Sequence, residues 1–442
     1  MKKIREKCLM WGTALLAFLA GNVQATQVEV SAALATPVVQ AGKSQTAFLK
    51  VSLTGFALPE HRERPPVNVA IVIDRSGSMS GEKMRQAREA ATLAVHSLAA
   101  DDIVSVIAFD DRVEVVTPAT RATDKHAITQ AIARIDARGS TAIFAGVSKG
   151  ASEIRKFIDR NRVNRVILLS DGQANAGPSS PAELGRLGGS LAREGISVST
   201  IGLGLGYNED LMTQLAGYSD GNHAFVANAQ DLARIFKLEF GDVTSMVAQD
   251  VDITIRLARG TRPVRVLGRD AEIVGNTVRT RMRQLGSEQE KFVMLEVEVP
   301  AGTSGAHLNV ADVDVGYLNM VSKRHDAVKR MVAVSYTDSA EKVALATNKK
   351  VMKSAVEQVA NTLNAEALQL RDDGKIEDAK RVLNESADYL YYNAQKLDAP
   401  ELKKQEQEAR KQAETIDKSG EWNNTRKVMK EQQHKLNTQQ KY

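Results

Sequence analysis

Asp74, Ser76 and Ser78 stand at alternate positions directly after the apolar run VNVAIVI (67–73). A second run, VNRVILLS (163–170), ends in Asp171-Gly172, and Gly139-Ser140-Thr141 lies between the two, ahead of a helix candidate. In open parallel sheets ligands bind in the crevice at the carboxyl ends of the strands, where strand-to-helix turns converge. Two carboxylates and three hydroxyls gathered there make a hard, all-oxygen donor set suited to Mg2+, Mn2+ or Ca2+ and not to a soft metal. A cage of four carboxylates would neutralise a divalent ion, whereas hydroxyls leave it electrophilic and able to accept a carboxylate from outside. Taken alone, D-x-S-x-S also reads as an Asx-type turn that caps the next helix.

These loops need a scaffold, and residues 67 to about 242 provide its pattern. Short β-branched runs at 67–73, 103–109, 113–117, 163–170, 196–203 and 223–228 alternate with helix candidates at 82–99, 123–136, 142–159, 181–194, 208–216 and 229–240. Ser80 is the expected cap of the first helix. The alternation predicts a doubly wound α/β fold, with a mostly parallel sheet covered on both faces. Residues 26–62 and 243–337 instead alternate apolar and polar positions, as antiparallel strands with one solvated face do. Two or three upstream strands are too few to stand alone. The economical reading is one β-sandwich into which the α/β domain, 63–242, is inserted; a sandwich merely next to that domain is the rival. Met352 to Leu370 and Ile376 to Leu397 carry matching stripes at helical spacing, with Asp372-Asp373-Gly374 as the turn, so 338–398 is expected to be a helical hairpin. The Lys- and Gln-rich segment 399–442 reads as a polar helical tail, solvated and loose at its end.

The three loops resemble a known family. VNVAIVIDRSGSM, GSTAIFAG and VILLSDGQANAG are similar to the three loops of the metal-ion-dependent adhesion site of von Willebrand factor A domains, in the same order and strand context, over roughly residues 67–242. The resemblance implies that Ser76, Ser78 and Thr141 supply hydroxyl ligands and that Asp74 and Asp171 hold the metal directly or through water. Mg2+ is the expected ion, with Mn2+ or Ca2+ as alternatives, and a protein partner offering an acidic side chain takes the open position. Arg75 falls at a position that varies in the family; a cation there would assist or compete with such a partner. The wider layout resembles secreted bacterial proteins that carry this domain beside β-sandwich and helical parts.

At the N-terminus, Lys2, Lys3, Arg5 and Lys7 precede a mostly apolar run from Cys8 to Ala20, followed by Val23-Gln24-Ala25. This reads as a secretory signal, 1–25, too short and interrupted to span a membrane. Export to a periplasm or cell surface is the expectation. Removing the segment lowers the net charge from +5 to about +2, so the basic balance is weak support for nucleic acid. A chain of 442 residues with 43% hydrophobic and 26% charged residues excludes disorder, and one Cys excludes a disulfide framework. Seven His without H-E-x-x-H spacing give a zinc hydrolase no support. Gly202-Leu203-Gly204-Leu205-Gly206 departs from G-x-G-x-x-G and is read as a turn. Tyr389, Tyr391 and Tyr392 are expected to pack the hairpin. The functional expectation is a non-enzymatic, metal-dependent protein-binding module. Its alternatives are an envelope protein whose metal only staples the loops, and a metal-dependent phosphoryl-transfer enzyme, which lacks a visible general base or phosphate cradle. A subunit of a chelatase-type motor is disfavoured by the signal segment and the absence of a P-loop region.

Overall fold

The structure, a computed structural model, describes residues 27–58 and 64–442, so the expected signal segment lies outside the described residues. Strands β1 (Glu29–Leu34), β2 (Val38–Gln40) and β3 (Gln45–Thr54) come first, and the chain then leaves for an α/β unit without closing a sheet of its own. That unit runs β4 (Val67–Asp74), α1 (Glu82–Ser97), β5 (Ile103–Phe109), β6 (Val113–Arg121), α2 (Lys125–Ala133), α3 (Ile143–Arg155), β7 (Val163–Ser170), α4 (Pro181–Arg193), β8 (Ile196–Leu203), α5 (Glu209–Tyr218), β9 (His223–Val226) and α6 (Leu232–Thr244). Its strand order is β6-β5-β4-β7-β8-β9, with β5 and β6 antiparallel and the other pairs parallel. Every position of β4, β5, β7 and β8 is buried, as a sheet helix-covered on both faces requires. One face packs on α1, α2 and α6, and the other on α3, α4 and α5.

The first helix starts differently from the expectation. A short 3-10 turn at Gly77–Met79 intervenes, Ser80 Oγ donates to the Gly77 carbonyl at 2.7 Å, and Gly81 at φ +74° becomes the cap of α1. The turn delays the helix because the backbone first wraps around the Asp74 carboxylate.

After α6 the chain forms β10 (Met246–Leu257), β11 (Arg262–Leu267), β12 (Glu272–Val274), β13 (Thr277–Gly286), β14 (Glu290–Val299), β15 (His307–Asn319) and β16 (Arg324–Thr337). These join the upstream strands in two sheets, β1-β3-β14-β11 and β12-β13-β10-β15-β16-β2. Strand β3 lies between β1 and β14, with Val51 opposite both Ala32 and Val293, and β2 runs parallel to β16. The inner faces of both sheets share one core, which includes Leu49, Val51, Ile253, Leu295 and Val313. The sandwich is therefore built from both flanks, and the α/β unit is inserted between them.

The C-terminal part comprises α7 (Ala340–Leu345), α8 (Lys349–Asp372), α9 (Ile376–Leu397), α10 (Pro400–Thr415) and α11 (Ser419–Thr438). Helices α8 and α9 form the expected hairpin, turning at Gly374, whose φ is +81°. Two expectations fail here. Tyr389 is half-buried, but Tyr391 and Tyr392 are 48% and 64% exposed, because they point off the stripe that faces α8. The tail is not loose either: α11 packs on α5, α8 and β9. Apolar contacts of Ala413, Ile416, Trp422 and Met429 with the α8–α9 hairpin hold it, and charge adds to them. Lys427 is buried, donates to the Tyr207 carbonyl at 2.9 Å, pairs with Glu209 and lies over the Tyr207 ring, while Arg426 bridges Glu209, Asp210 and Asp372.

The three parts meet at Arg165 on β7, which is fully buried. Its guanidinium donates to Glu239 of α6 at 2.7 Å, to Ser199 of β8 at 3.2 Å and to Gln284 of β13. Tyr442 donates to the same Glu239, and Asn222 donates to both Glu239 and Asp242. Burial pushes both carboxyls up; at Glu239 the Arg165 charge together with hydrogen bonds from Ser199, Tyr442 and Asn222 more than offsets this, whereas at Asp242 the neighbouring Glu239 charge adds to it and the carboxyl stays above its ordinary value.

Two outcomes follow from this packing. Deleting residues 27–58 should leave 67–242 resistant to limited proteolysis while cuts appear first within 290–299, which has lost its central neighbour. Lys427→Met should lower stability by about 2 kcal/mol, the loss of charge-assisted hydrogen bonds to Glu209, which keeps Arg426, and to the Tyr207 carbonyl, read as a drop in melting temperature.

Candidate metal centre

Asp74 ends β4 and Asp171 follows β7, and these strands are direct neighbours in the sheet, so the two carboxylates arrive side by side at its carboxyl edge. Both are buried, as are Ser76 and Thr141, while Ser78 faces solvent. Ser76 N–H donates to Asp74 Oδ1 at 2.7 Å, the Asx geometry expected of D-x-S. Ser76 Oγ and Ser78 Oγ lie 3.0 Å apart, and Ser78 Oγ donates to Asp171 Oδ1 at 2.7 Å. A Cβ on Gly172 would come 2.9 Å from Thr141 Oγ1 and 3.6 Å from Asp74 Oδ2, so this glycine is what lets the third loop close on the other two. All five residues named from the sequence therefore converge on one crevice.

Backbone bonds lace the three loops together. Gly77 N–H donates to the Gly139 carbonyl at 3.1 Å and Arg138 N–H to the Arg75 carbonyl at 2.6 Å. Asn175 binds both ways to Thr141, its side chain accepting from Thr141 N–H at 2.8 Å and its N–H donating to the Thr141 carbonyl at 3.1 Å. Gly206 of the glycine-rich loop backs onto the Asp171 carbonyl, where a Cβ would sit at 2.8 Å. That loop is a close-packed turn behind the site.

Sequence reasoning missed three contributors. Ser170 Oγ donates to Asp74 Oδ2 and accepts from Gly172 N–H at 3.2 Å; its position directly before Asp171 was the available signal. Asn175 lies within the third motif and holds the second. Lys83, in the first turn of α1, places its ammonium on Asp171 and 3.3 Å from the Ser78 carbonyl. Arg75, the cation suspected from the sequence, is instead turned away onto Asp110 at 2.8 Å and Glu114 at 2.5 Å.

The electrostatics leave a positive charge wanting. Burial pushes the Asp74 carboxyl up to about 6 despite the hydrogen bonds from Ser170 and Ser76, and the Asp171 charge adds to the rise. Among the described residues Asp74 makes no ion pair, and Asp171 has only the Lys83 ammonium. No three His, Cys, Asp or Glu side chains cluster among the described residues, so a cation here must use hydroxyl oxygens as well as the two carboxylates. That mixed donor set fits a hard divalent ion.

Comparison with known proteins identifies the fold that carries these loops. Residues 68–238 match the von Willebrand factor type A domain. The chain is 27% identical over 268 residues to the uncharacterized protein sll0103 of Synechocystis, covering 58% of this chain and 63% of that one, and 26% identical over 312 residues to the uncharacterized protein YfbK of Escherichia coli, covering 70% and 49%. The matched region thus spans between half and two-thirds of these relatives. A von Willebrand factor type A protein from Catenulispora acidiphila shares the fold with a TM-score of 0.67, at 18% identity, over 86% of this chain and 90% of that one.

A test of the electrostatics follows. The native state holds the Asp74 proton up to about pH 6, whereas the unfolded chain releases it near 3.8. Native protein therefore binds more protons between these values, and its stability in chelator should fall by roughly 3 kcal/mol as pH rises from about 4 to above 6. Asp74→Asn should remove this fall, and a divalent cation, which favours the charged carboxylate, should reverse it. Denaturant unfolding of both proteins at pH 4 and pH 7, with EDTA and with Mg2+, measures the difference.

Proposed function

Because residues 68–238 form a von Willebrand factor type A domain, a family of protein-interaction modules, we propose that this chain is a non-enzymatic, metal-dependent binding protein that recognises an acidic side chain of a partner protein. The observation that carries this reading is the buried Asp74 carboxylate, without a cation of its own, beside Asp171 and three hydroxyls at the mouth of the sheet. Asp74 and Asp171 would hold a divalent cation, Mg2+ first and Mn2+ or Ca2+ as alternatives, with Ser76, Ser78 and Thr141 as neutral ligands. The ion would supply an electrophilic position for a carboxylate from the partner.

The chain's own residues prepare that position. Ser170 and the Ser76 N–H fix the Asp74 carboxylate so that it need not reorganise on binding. Two carboxylates balance a divalent charge without exceeding it, and hydroxyls add coordination without adding negative charge. Asn175 and Gly172 hold Thr141 against the other loops. Lys83 is a tethered cation that must move off Asp171 as the ion arrives, which lowers metal affinity and keeps the carboxylate compensated meanwhile. Export to a periplasm or cell surface, read from 1–25, is part of the proposal. Among the described residues no helix is long and apolar enough to cross a membrane.

Calorimetric titration of the full chain with Mg2+ and Mn2+ tests it. Wild type should bind one ion; Thr141→Ala should weaken binding about tenfold, the loss of one neutral ligand. Asp74→Ala should abolish binding, and Lys83→Met should strengthen it. The melting temperature should change little with EDTA at pH 5, and retention of partners from an envelope extract should require metal. A loss of melting temperature with EDTA at pH 7 that persists in Asp74→Asn, together with retention indifferent to metal, would instead make the ion a structural staple.

A further inference from the structure

The C-terminal helices leave a gap. Helix α10 packs mainly on α9 and α11 on α8, so the two stand apart over the α8–α9 hairpin. A cleft of about 430 Å3 lies between them, walled by α8, α10 and α11. Its floor is Ala360, Leu390 and Ala409, which belong to one apolar cluster of these helices, and Met429, which belongs to a second. Packed helices ordinarily close such a gap, and this one falls within the ~300–1,000 Å3 of small-ligand sites.

The charges in its lining answer one another. Glu401 pairs with Lys353 at 3.5 Å and Lys435 with Glu431 at 3.0 Å. Lys404 and Glu408 stand one turn apart on α10, with opposite sign. Glu357 accepts from Gln405 at 3.2 Å, and burial holds its carboxyl above the usual value. No net charge is left for an ion to satisfy, and an apolar floor favours an uncharged occupant.

The rim is made of carboxamides. The Lys- and Gln-rich segment, expected from its composition to be solvated, brings Gln405 and Gln412 from α10 and Gln432 from α11 to this one cleft. A carboxamide has a donating end and an accepting end. Gln405 spends its donor on Glu357, and Gln412 donates to Gln432 at 3.1 Å from one wall to the other. Gln405 therefore keeps its carbonyl oxygen and Gln432 its NH2 group, and both residues are half-buried. One spare acceptor and one spare donor on facing helices, above an apolar floor, match a peptide, whose main chain donates and accepts in equal measure.

We propose that this cleft binds a short uncharged peptide segment of another protein, with an apolar side chain on the floor of Ala360, Leu390, Ala409 and Met429 and main-chain amides between Gln405 and Gln432. The site is separate from the candidate metal centre and does not depend on it. It gives the C-terminal helices a recognition role of their own.

The test uses the full chain in EDTA, carrying 13C-methyl methionine, with the capped tripeptide acetyl-Ala-Leu-Ala amide as probe. Met429 lies on the floor, so its methyl resonance, assigned with Met429→Leu, reports occupancy while the other methionines serve as controls. The probe should shift that resonance saturably, with a dissociation constant of about 1 mM, the range open to a ligand of this size. Acetyl-Gly-Gly-Gly amide, which lacks the apolar side chain, and 4-methylpentan-1-ol, which lacks the amides, should each bind at least about tenfold more weakly. Gln432→Leu should weaken the tripeptide about fivefold, the loss of one hydrogen bond, and leave the alcohol unaffected. Ala409→Met should abolish binding by filling the cleft, with near-ultraviolet circular dichroism reporting an intact fold; should it misfold, Asn364→Trp fills the cleft from the half-buried wall on α8. Asp74→Ala should bind as wild type does. A Met429 resonance unmoved by tripeptide up to about 20 mM would overturn the proposal. So would either control binding as tightly as the tripeptide, or binding undiminished in Gln432→Leu and in the cleft-filling variants.

Discussion

A guanidinium sealed away from water must find its acceptors in fixed positions, and Arg165 finds them in two parts of the molecule while a third is attached to one of those acceptors. Glu239 comes from the last α/β helix, Gln284 from the sandwich, and Glu239 in turn is held by the hydroxyl of Tyr442. Leaving such a charge unpaired costs several kcal/mol. Separation of the sandwich or the C-terminus would take hydrogen bonds from a buried ion pair, so the inserted unit, the sandwich and the end of the chain hold one arrangement together. The junction is specified by charge, where the sheets around it are specified by apolar area.

The candidate metal centre uses the opposite logic. There, two buried carboxylates are left short of positive charge, and the chain offers only the ammonium of Lys83, on a side chain partly in solvent. Arg165 is compensated by immovable groups, whereas Asp171 is compensated by one that can leave. This difference separates a structural charge from an exchangeable one within a single sheet: both Arg165 and Asp171 are reached along β7, at its opposite ends.

The parallel sheet was legible because its strands are buried on both faces and so read as continuous β-branched runs, and the strand bounds from β4 to β8 fall within a few residues of those runs. Carboxylates and hydroxyls at strand ends and helix starts were legible from position, and the resemblance of the three loops to von Willebrand factor A domains singled out the five candidate ligands among them. Ser170 was less so, since a hydroxyl inside a strand looks like any other strand residue, and Lys83 was hidden because a lysine in a first helical turn ordinarily faces solvent. Helix α11 escaped for a related reason. Its docking on the α/β unit depends on Arg426 and Lys427 meeting Glu209 and Asp210, and a charged pair separated by more than 200 residues leaves no periodic trace in either segment. His223 and His434 likewise appear scattered in the sequence yet lie with ring centroids 5.9 Å apart, buried and held neutral by desolvation.

The insertion also sets an order of events for the newly made chain. Strand β3 cannot meet β14 until some 240 residues of intervening chain have been synthesised, as the register of Val51 with Val293 requires. The inserted unit draws most of its contacts from within its own span and can collapse early; the sandwich depends on long-range pairing, which is slow because loop closure precedes its reward. Until β14 arrives, β1 and β3 form at most a two-stranded ribbon with an open edge, marginal in water and prone to pairing with other chains. Early collapse of the inserted unit brings residues 67 and 244 to the same body and so shortens the effective loop that β3 must close. The unit that carries the candidate site is in this sense also the brace that brings the two flanks of the sandwich within reach of each other.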